Sequence, residues 1–247
     1  MNNKVAFITG SAKRIGAHTA KHLHGLGINV VVHCNQSRIE AEQLCQDLNA
    51  IRAKSARLVQ GDLSTLSHID RVGQQAIDSF GRLDILINNA STFYPTPIGT
   101  ITPQDWHSLV GSNMQGPLFL SQFCHTELAK NNGAIINMVD IHAAKPLKQH
   151  TVYCMAKSAL VTMTQSLALE LAPSVRVNGI APGAILWPEQ PLNDEDKEEI
   201  LKHIPAQRLG SMEDIAHAIE YLIAATYVSG QILAIDGGRS ISSHTKG

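Results

Sequence analysis

The sequence predicts one α/β domain over residues 1–247, in which helices cover both faces of a doubly wound, seven-stranded parallel sheet. Short apolar segments alternate with longer helical segments along the chain, and this alternation favours parallel strands. The apolar segments are rich in Val, Ile and Leu, as in strands that are buried on both faces. No repeat, low-complexity tract or linker divides the 247 residues, and undivided α/β domains of this length are common.

Seven segments have the length and composition of strands. They are Val5–Thr9, Asn29–His33, Ser55–Gln60, Leu83–Asn88, Ala134–Val139, Val175–Ile180 and Gln231–Ile235. Six helices are predicted over Gly16–Leu26, Arg38–Arg52, Thr65–Phe80, Gln104–Lys130, Val152–Leu171 and Glu213–Ala225. Residues 182–205 are the least regular segment, with prolines followed by an acidic stretch that could begin a short helix. We expect a mobile substrate lid there.

Three helix starts carry capping signals. They are Ser37 with Glu40, Ser211 with Asp214, and Thr102 followed by Pro103. The first two pairs have capping-box spacing, and the third combines an N-cap threonine with a proline in the first turn. These pairs support the predicted starts of their helices.

Composition excludes several classes of protein. The net charge of −1 gives no electrostatic reason for binding nucleic acid, and no apolar segment reaches the roughly 18 residues of a membrane helix. The four cysteines lack Cys-x-x-Cys spacing and indicate reduced thiols, so we expect a cytoplasmic protein. We interpret the twelve histidines as scattered surface and loop residues and expect no metal site.

The segment between the first strand and the first helix contains Gly10, Arg14, Ile15 and Gly16. A helix N-terminus presents N–H groups and the positive end of the helix dipole, which attract a pyrophosphate. Glycines permit a tight turn and close approach of the backbone. At the first strand–helix junction of a doubly wound sheet, this pattern indicates a dinucleotide cofactor rather than a purely structural turn.

The end of the second strand predicts which dinucleotide binds. An Asp or Glu at this position would bond the ribose 2′-hydroxyl of NAD, but His33, Asn35 and Ser37 occupy the segment. Arg38 follows them, and Glu40 is assigned to the helix cap. Because no carboxylate repels a 2′-phosphate, we expect NADPH rather than NADH. Alternatively, these residues only start a helix.

Two further strand ends carry candidate cofactor residues. Asp62 and Leu63 follow the third strand, where a carboxylate could meet the adenine amino group. Asn89 and Ala90 follow the fourth strand, where small residues allow the cofactor to pass closely. Each pair could be an ordinary turn, but both recur at strand carboxyl ends, where ligands bind in such sheets.

Tyr153 and Lys157 share one face of a predicted helix, because residues at i and i+4 are neighbours. We expect the Lys157 ammonium to favour the phenolate and to lower the pKa of Tyr153 from its usual value of about 10. Such a tyrosine can act as an acid or a base near neutral pH. Asp140 lies thirteen residues before it, at a strand end where it could also form a turn.

Together these motifs resemble the short-chain dehydrogenase/reductase family over essentially the whole chain. The matching elements are Thr9-Gly10 with Gly16, Asn88-Asn89-Ala90, Asn113, Tyr153 with Lys157, and Pro182-Gly183. The resemblance implies a Rossmann fold, a homotetramer, and hydride transfer from nicotinamide with Tyr153 as proton donor. It also implies that Lys157 holds the nicotinamide ribose and that Asn113 supports a water relay to that lysine.

Two departures from the family pattern narrow the resemblance. Arg14 stands where a third glycine is usual, and no serine occurs between Gly133 and His150, where the catalytic serine is usual. Both departures resemble the pteridine reductase branch, which has an aspartate thirteen residues before the tyrosine. The segments Asn89–Pro97 and Asn137–Asp140 also resemble that branch. The resemblance thus implies NADPH-dependent reduction of a pterin or folate.

A pterin is a flat, polar heterocycle that suits an aromatic face and a few convergent polar groups. Phe93 would stack on this ring, unless it is a buried loop aromatic, and Ser91 and Arg14 would bind its polar edge. In our mechanistic hypothesis Tyr153 protonates a ring nitrogen, and Asp140 orients the donor and the substrate.

Several alternatives stay open. Leu186 and Trp187 either wall the pocket or pack in the core or the lid, and the apolar stripes of the long helices either bind a partner or cover the sheet. Another NADPH-dependent reductase, such as a 3-oxoacyl carrier-protein reductase, and a non-catalytic nucleotide sensor are competing functions. The substrate tail would meet residues 182–205, so the sequence does not distinguish individual pterins and folates.

Overall fold

The computed structural model describes residues 3–187 and 193–242, and it confirms the predicted fold class. Seven parallel strands form one sheet in the order β3-β2-β1-β4-β5-β6-β7. The strands are β1 Val5–Ile8, β2 Asn29–Cys34, β3 Ala56–Gln60, β4 Ile85–Asn88, β5 Ala134–Met138, β6 Arg176–Pro182 and β7 Ile232–Ile235. Every predicted strand is present, and the ends differ by no more than two residues.

Helices connect the strands and cover both faces of the sheet. They are α1 Arg14–Gly25, α2 Arg38–Ile51, α3 Leu66–Asp78, α4 Pro103–Val110, α5 Gly116–Lys130, α6 Thr151–Glu170, α7 Asp194–Lys202 and α8 Met212–Ala224. The helix predicted over Gln104–Lys130 is present without a break from Pro103 to Lys130, although a π-helical turn that was not predicted divides it into α4 and α5. Within the described ranges, no helix is both long enough and apolar enough to cross a lipid bilayer.

A π-helical turn, Gly111–Gln115, separates α4 from α5. Pro117 has no N–H group, so it cannot donate the ordinary helical bond to the carbonyl of Asn113. The N–H of Gly116 instead bonds to a carbonyl five residues back, which widens the helix. Such turns are frequent at functional sites, and this one carries Asn113.

Residues of the central strand alternate between two apolar cores. In β1, Ala6 and Ile8 face the core formed with α1, α2 and α8. Val5 and Phe7 face the opposite core, formed with α3 and α5. These side chains are fully buried, as predicted for a strand covered on both faces. Full burial of a side chain such as Phe7 or Ile8 contributes about 1.5–3 kcal/mol.

The strand order reverses between β1 and β4, and ligands of doubly wound sheets bind at the carboxyl ends of such a strand pair. Several hydrogen bonds join the two strand ends. Thr9 N–H donates to Ile87 O at 3.0 Å, and Asn89 Nδ2 donates to Thr9 O at 2.8 Å. Asn89 Nδ2 also reaches Gly10 O at 3.0 Å. The first glycine of the β1–α1 loop is therefore held against the end of β4.

Two of the three predicted caps are confirmed. They are Ser211 with Asp214, and Thr102 followed by Pro103. The predicted capping box of Ser37 with Glu40 is wrong, because the Ser37 side chain makes no cap bond. Glu40 instead pairs with Lys13 at 2.7 Å. A charged ammonium is a stronger partner for a carboxylate than a backbone N–H, and the folded chain brings one within reach.

The expected lid segment, 182–205, is described only in part. Residues 188–192 lie outside the described residues. The acidic stretch forms the expected short helix, α7, whose N-cap Asn193 accepts a hydrogen bond from Asp196 N–H at 2.7 Å. The mobility of this segment stays a prediction.

Candidate active site

A cavity of about 1610 Å³ opens at the carboxyl ends of β1, β2 and β4. Pockets for drug-sized ligands measure about 300–1,000 Å³, so this one has room for a dinucleotide and a second molecule. The predicted site residues that line it are Gly10, Arg14, Ile15, Gly16, His33, Asn35, Ser37, Asp62, Leu63, Asn89, Ala90, Ser91, Phe93 and Tyr153. The fold thus brings together residues from five separate segments of the sequence.

Two glycines shape the β1–α1 loop. Gly10 has φ +60°, and a Cβ atom there would lie 2.8 Å from the Cα atom of Ala90. At Gly16 a Cβ atom would lie 2.5 Å from the carbonyl oxygen of Gly10. Only glycine fits at either position, so the loop presents bare backbone to the cavity. This arrangement at the start of a helix fits the pyrophosphate of a dinucleotide.

Arg14 is the first residue of α1 and lines the cavity with an exposed side chain. Its φ of +51° lies in the left-handed region, which costs a residue with a side chain about 1–2 kcal/mol. Glycine adopts this conformation without strain, and glycine is the usual residue at this position in the family that the sequence resembles. Arg14 puts a guanidinium at the N-terminal end of α1, at the cost of this strain.

His33 connects the glycine loop to the sheet. Its Nδ1 accepts a hydrogen bond from Gly10 N–H at 3.0 Å, and its Nε2 donates to Gly61 O at 3.0 Å. Burial lowers the pKa of His33 to about 4, against opposing contributions from the Gly61 bond and the Asp62 carboxylate. The ring is therefore neutral near pH 7. Both nitrogens bind backbone groups, so His33 contributes to the cavity by positioning Gly10.

The outer end of the cavity is open to solvent. Ser37 lines it, together with Asn35. The nearby cations each have a carboxylate partner, because Lys13 Nζ lies 2.7 Å from Glu40 Oε1 and Arg38 Nε lies 2.7 Å from Glu42 Oε1. All four of these charged side chains are substantially exposed. This end therefore combines neutral hydrogen-bonding groups with two cations whose charges are each paired with a glutamate.

Asp62 closes the turn that follows β3. It accepts hydrogen bonds from Ser64 N–H at 2.9 Å, from Ser64 Oγ at 2.7 Å and from Thr65 Oγ1 at 3.3 Å. Burial disfavours its charged form, but these bonds prevail and hold the pKa of Asp62 below its usual value. The carboxylate thus has a turn-forming role, and its contact with adenine stays a prediction.

The proton-transfer group consists of Tyr153 and Asp140. Tyr153 Oη donates a hydrogen bond to Asp140 Oδ2 at 2.7 Å, and Asp140 Oδ1 accepts one from His142 N–H at 2.8 Å. Burial, together with the adjacent Asp140 charge and its hydrogen bond, raises the pKa of Tyr153 above its usual value. Our expectation of a lowered pKa was therefore wrong. The Asp140 carboxylate favours the protonated phenol. The sequence spacing alone did not show that burial and Asp140 would outweigh the Lys157 charge in setting the pKa of Tyr153.

Lys157 is buried behind the tyrosine. Its Nζ donates to Met138 O at 2.7 Å and lies 5.7 Å from the centre of the Tyr153 ring. Burial lowers the pKa of Lys157 to about 8, against an opposing contribution from the Asp140 charge. Lys157 is therefore a buried amine beside the Tyr153 ring, and it holds its proton less firmly than a lysine in solvent does.

Asn113 anchors the loop that carries Ser91. Its Oδ1 accepts from Ser91 Oγ at 2.7 Å, and its Nδ2 donates to Thr92 O at 2.8 Å and to Leu109 O at 2.9 Å. The side chain of Asn113 is fully buried in the π-helical turn. Its amide group thus positions the predicted substrate segment, and the water relay to Lys157 stays a prediction.

Phe93 lines the cavity and forms an aromatic wall together with His150. Their rings are nearly parallel, with centres 4.6 Å apart and an angle of 14°. Phe93 also meets the Tyr153 ring edge to face at 4.8 Å. Phe93 is 55% exposed, so the alternative of a buried loop aromatic was wrong. Sequence reasoning missed His150, although its place three residues before Tyr153 at the helix start was a usable signal.

Four predicted site residues lie at or beyond the end of β6. Leu186 packs against the core that includes α1 and α8, whereas Trp187 is partly exposed. Pro182 ends β6, and a Cβ atom at Gly183 would lie 2.7 Å from the Cβ atom of Asp236. These contacts explain Leu186 and Gly183 as packing residues. A contact of any of the four with a ligand stays a prediction.

The chain is similar to known reductases over most of its length. A family model described as enoyl-(acyl carrier protein) reductase matches residues 10–240. Pteridine reductase 1 of Leishmania tarentolae is 36% identical over 280 residues, covering 96% of each chain. The 3-oxoacyl-acyl-carrier-protein reductase FabG of Staphylococcus aureus is 30% identical over 240 residues, covering 95% of this chain and 97% of its own.

Proposed function

Because the chain belongs to the short-chain dehydrogenase/reductase family of oxidoreductases, we propose that it reduces a pterin or folate with NADPH. The observation that carries the proposal is the 2.7 Å hydrogen bond from Tyr153 to Asp140. A carboxylate in this position keeps the phenol protonated, as a donor to a ring nitrogen requires. The 36% identity to pteridine reductase 1 of Leishmania tarentolae supports the same substrate class.

Tyr153, Asp140 and Lys157 have different roles in the proton transfer. A nicotinamide bound in the cavity supplies the hydride. Tyr153 donates its Oη proton to the ring nitrogen next to the reduced carbon, and its raised pKa holds the proton until that nitrogen becomes basic. The phenolate then lies beside the Asp140 carboxylate, and this repulsion drives its reprotonation. We assign the return of the proton to Lys157, a buried acid with a pKa of about 8 whose Nζ lies 5.7 Å from the centre of the Tyr153 ring.

The aromatic wall supplies the binding face for the heterocycle. Phe93 stacks on His150 and lines the cavity, so we assign the opposite face of its ring to the heterocycle. A flat ring on that face would lie beside the Tyr153 hydroxyl, because the Phe93 and Tyr153 rings are in contact. Ser91 and Arg14 line the same cavity and provide a hydroxyl and a guanidinium for the polar edge of the ring.

The preference for NADPH rests on the open end of the cavity. The end of β2 is followed by the neutral residues Asn35 and Ser37. It therefore has no carboxylate that would bind the ribose 2′-hydroxyl of NADH or repel the 2′-phosphate of NADPH. Lys13 lines this end, and Arg38 directly follows Ser37 in the chain. A bound 2′-phosphate would compete with Glu40 and Glu42 for these two cations.

A second candidate is reduction of a 3-oxoacyl thioester. The description of the matching family model and the 30% identity to Staphylococcus aureus FabG favour it. A carbonyl oxygen is normally held by a serine hydroxyl in this family, and residues 134–149 contain no serine. We therefore rank this function below pterin reduction.

A substrate panel tests the two functions. The full chain is assayed for NADPH consumption with dihydrobiopterin, dihydrofolate and a β-keto thioester, and with NADH in parallel. We expect turnover of a pterin or folate with NADPH and a much lower kcat/KM for the thioester. A preference for the thioester would instead establish the second candidate, and the absence of any turnover would overturn both.

We also propose that the chain forms a homotetramer through its long helices, as the family resemblance implies. On α6, Leu160 and Met163 are buried against the sheet, but Met155 and Leu169 are 52% and 82% exposed. These two side chains lie near opposite ends of α6, and we propose that each contacts a second copy. Light scattering on the purified chain tests this, and a monomer at micromolar concentration would contradict it.

A further inference from the structure

We propose that His22, Glu213 and His217 form a binding site for a divalent transition-metal ion that joins α1 to α8. His22 lies on α1, and the other two residues lie on α8. One donor atom from each residue lies within 4.8 Å of the others. Our interpretation of the histidines as scattered was therefore wrong for this group. The i, i+4 spacing of His18 with His22, and of Glu213 with His217, was its signal in the sequence.

The distances match the spacing of metal ligands. Zinc binds imidazole nitrogen at about 2.0–2.1 Å and carboxylate oxygen at about 2.0–2.2 Å, so two tetrahedral ligands are about 3.3 Å apart. Glu213 Oε1 lies 3.1 Å from His217 Nε2 and 3.7 Å from His22 Nδ1. The second distance is too long for a hydrogen bond but suits two ligands of one ion. The planes of the two imidazole rings differ by 76°.

Glu220 fixes the tautomer of His22. His22 Nε2 lies 2.7 Å from Glu220 Oε2, and this carboxylate accepts the Nε2 proton. In the neutral imidazole, Nδ1 then carries a lone pair, and it points toward the Oε1 of Glu213. A metal ion placed between these two acceptors would bind both of them. A carboxylate on the far nitrogen of a metal-binding histidine is also the usual arrangement in metal sites.

His18 supports the carboxylate ligand in the same way. Its Nε2 lies 2.6 Å from Glu213 Oε2, which leaves Oε1 directed toward the other two donors. Both His22 and Glu213 thus have a second residue that orients them. Glu213 and His217 are exposed, so a water molecule has access as a fourth ligand.

The donor set selects the class of ion. Two imidazoles and one carboxylate suit Zn²⁺ and its neighbours in the first transition series, whereas Mg²⁺ and Ca²⁺ prefer oxygen ligands. Helix α1 begins at the glycine loop, with Arg14 as its first residue. A metal ion at His22 would therefore clamp the helix that follows the cofactor loop to α8, as a structural site outside the cavity.

Zinc titration of the full chain, produced without a histidine tag, tests the proposal. In competition with a chromophoric chelator, we expect one Zn²⁺ per chain, and loss of at least 100-fold in affinity in H217A and in E213A. The matched control is H125A, which removes an exposed helical histidine on α5 and leaves zinc affinity unchanged. Zinc binding that is absent in the wild type, or equal in H217A and H125A, would overturn the site.

Two further measurements separate a metal site from a set of ion pairs. The variant E220Q keeps the three ligands but removes the carboxylate on His22, and we expect a loss of about 10- to 100-fold in zinc affinity. Added Zn²⁺ raises the Tm of the wild type and of H125A but not of H217A. Substrate turnover stays equal in all variants without metal, which shows that they fold. Unchanged affinity in E220Q would show that the Glu220 charge does not support His22 as a ligand, and it would count against the site built on that support.

Discussion

The two ends of the cavity differ in their exposure, and this difference decides what a single charge can do. At the inner end, Tyr153 and Lys157 are 4% and 2% exposed, and the Asp140 charge acts on both of their pKa values. At the outer end, the side chains of Lys13 and Arg38 are 54% and 61% exposed and pair with carboxylates in solvent. Exposed pairs contribute only about 0–1 kcal/mol, whereas buried charges are weakly screened. Substitutions at the inner end should therefore change the chemistry, and those at the outer end the choice of cofactor.

Replacement of Tyr153 by Phe should have the largest effect. The change removes the proton donor and leaves the ring in place, so we expect kcat to fall by about 10²–10⁴-fold. Steady-state kinetics with NADPH and the best substrate of the panel measure it. NADPH affinity and Tm should be unchanged, and a loss of less than tenfold would show that another group supplies the proton.

Replacement of Asp140 by Asn should move the pH profile. The Asp140 charge raises the pKa of both Tyr153 and Lys157, so its removal lowers both values. In the wild type we expect activity to fall as the pH rises through about 8, where Lys157 loses its proton. In D140N this alkaline limb should appear at lower pH, with kcat reduced by about tenfold or more. A limb that stays in place or moves upward would contradict the assignment.

A carboxylate at Ser37 should shift the cofactor preference by a smaller amount. In S37D we expect the ratio of kcat/KM for NADPH over NADH to fall by about tenfold, because the new charge repels the 2′-phosphate. Since this end is exposed, the shift should shrink in high salt. The neutral variant S37N is the matched control, and an equal shift in both variants would exclude an electrostatic cause.

Replacement of Arg14 by Gly should have the smallest effect. Its change in the free energy of unfolding is best compared with the change caused by replacing Lys13 by Gly. Arg14 has φ +51°, whereas Lys13 has an extended backbone with φ −141°. R14G relieves left-handed strain, so in urea unfolding it should be less destabilising than K13G by about 1–2 kcal/mol. The KM for the pterin should rise in R14G alone. Equal stability losses would show that the strain at Arg14 is negligible.

The sequence predicted well those features of the fold and the site that depend on neighbouring residues along the chain. Val5 to Ile8 are buried on both faces as their composition requires, and Tyr153 and Lys157 meet because one helix carries both. The spacing of thirteen residues also brings Asp140 to the phenol, since β5 and α6 are packed together.

The parts that it missed depend on contacts made by the folded chain. The pKa of Tyr153 is set by burial and by the distance to Asp140, and neither quantity is encoded in spacing. The stacking of His150 on Phe93 joins residues that are far apart in sequence. The pairing of Glu40 with Lys13 also requires the glycine loop and α2 to be neighbours.

Asp140 accepts hydrogen bonds from two different parts of the chain, and this affects how the enzyme could be redesigned for another substrate. One oxygen holds the phenol, and the other accepts a hydrogen bond from His142 N–H in the short 3₁₀ turn Ile141–Ala143. A serine would have to make both contacts through one oxygen on a shorter side chain. Redesign of this enzyme toward ketone substrates therefore affects the position of the 141–143 turn as well as the chemistry of residue 140.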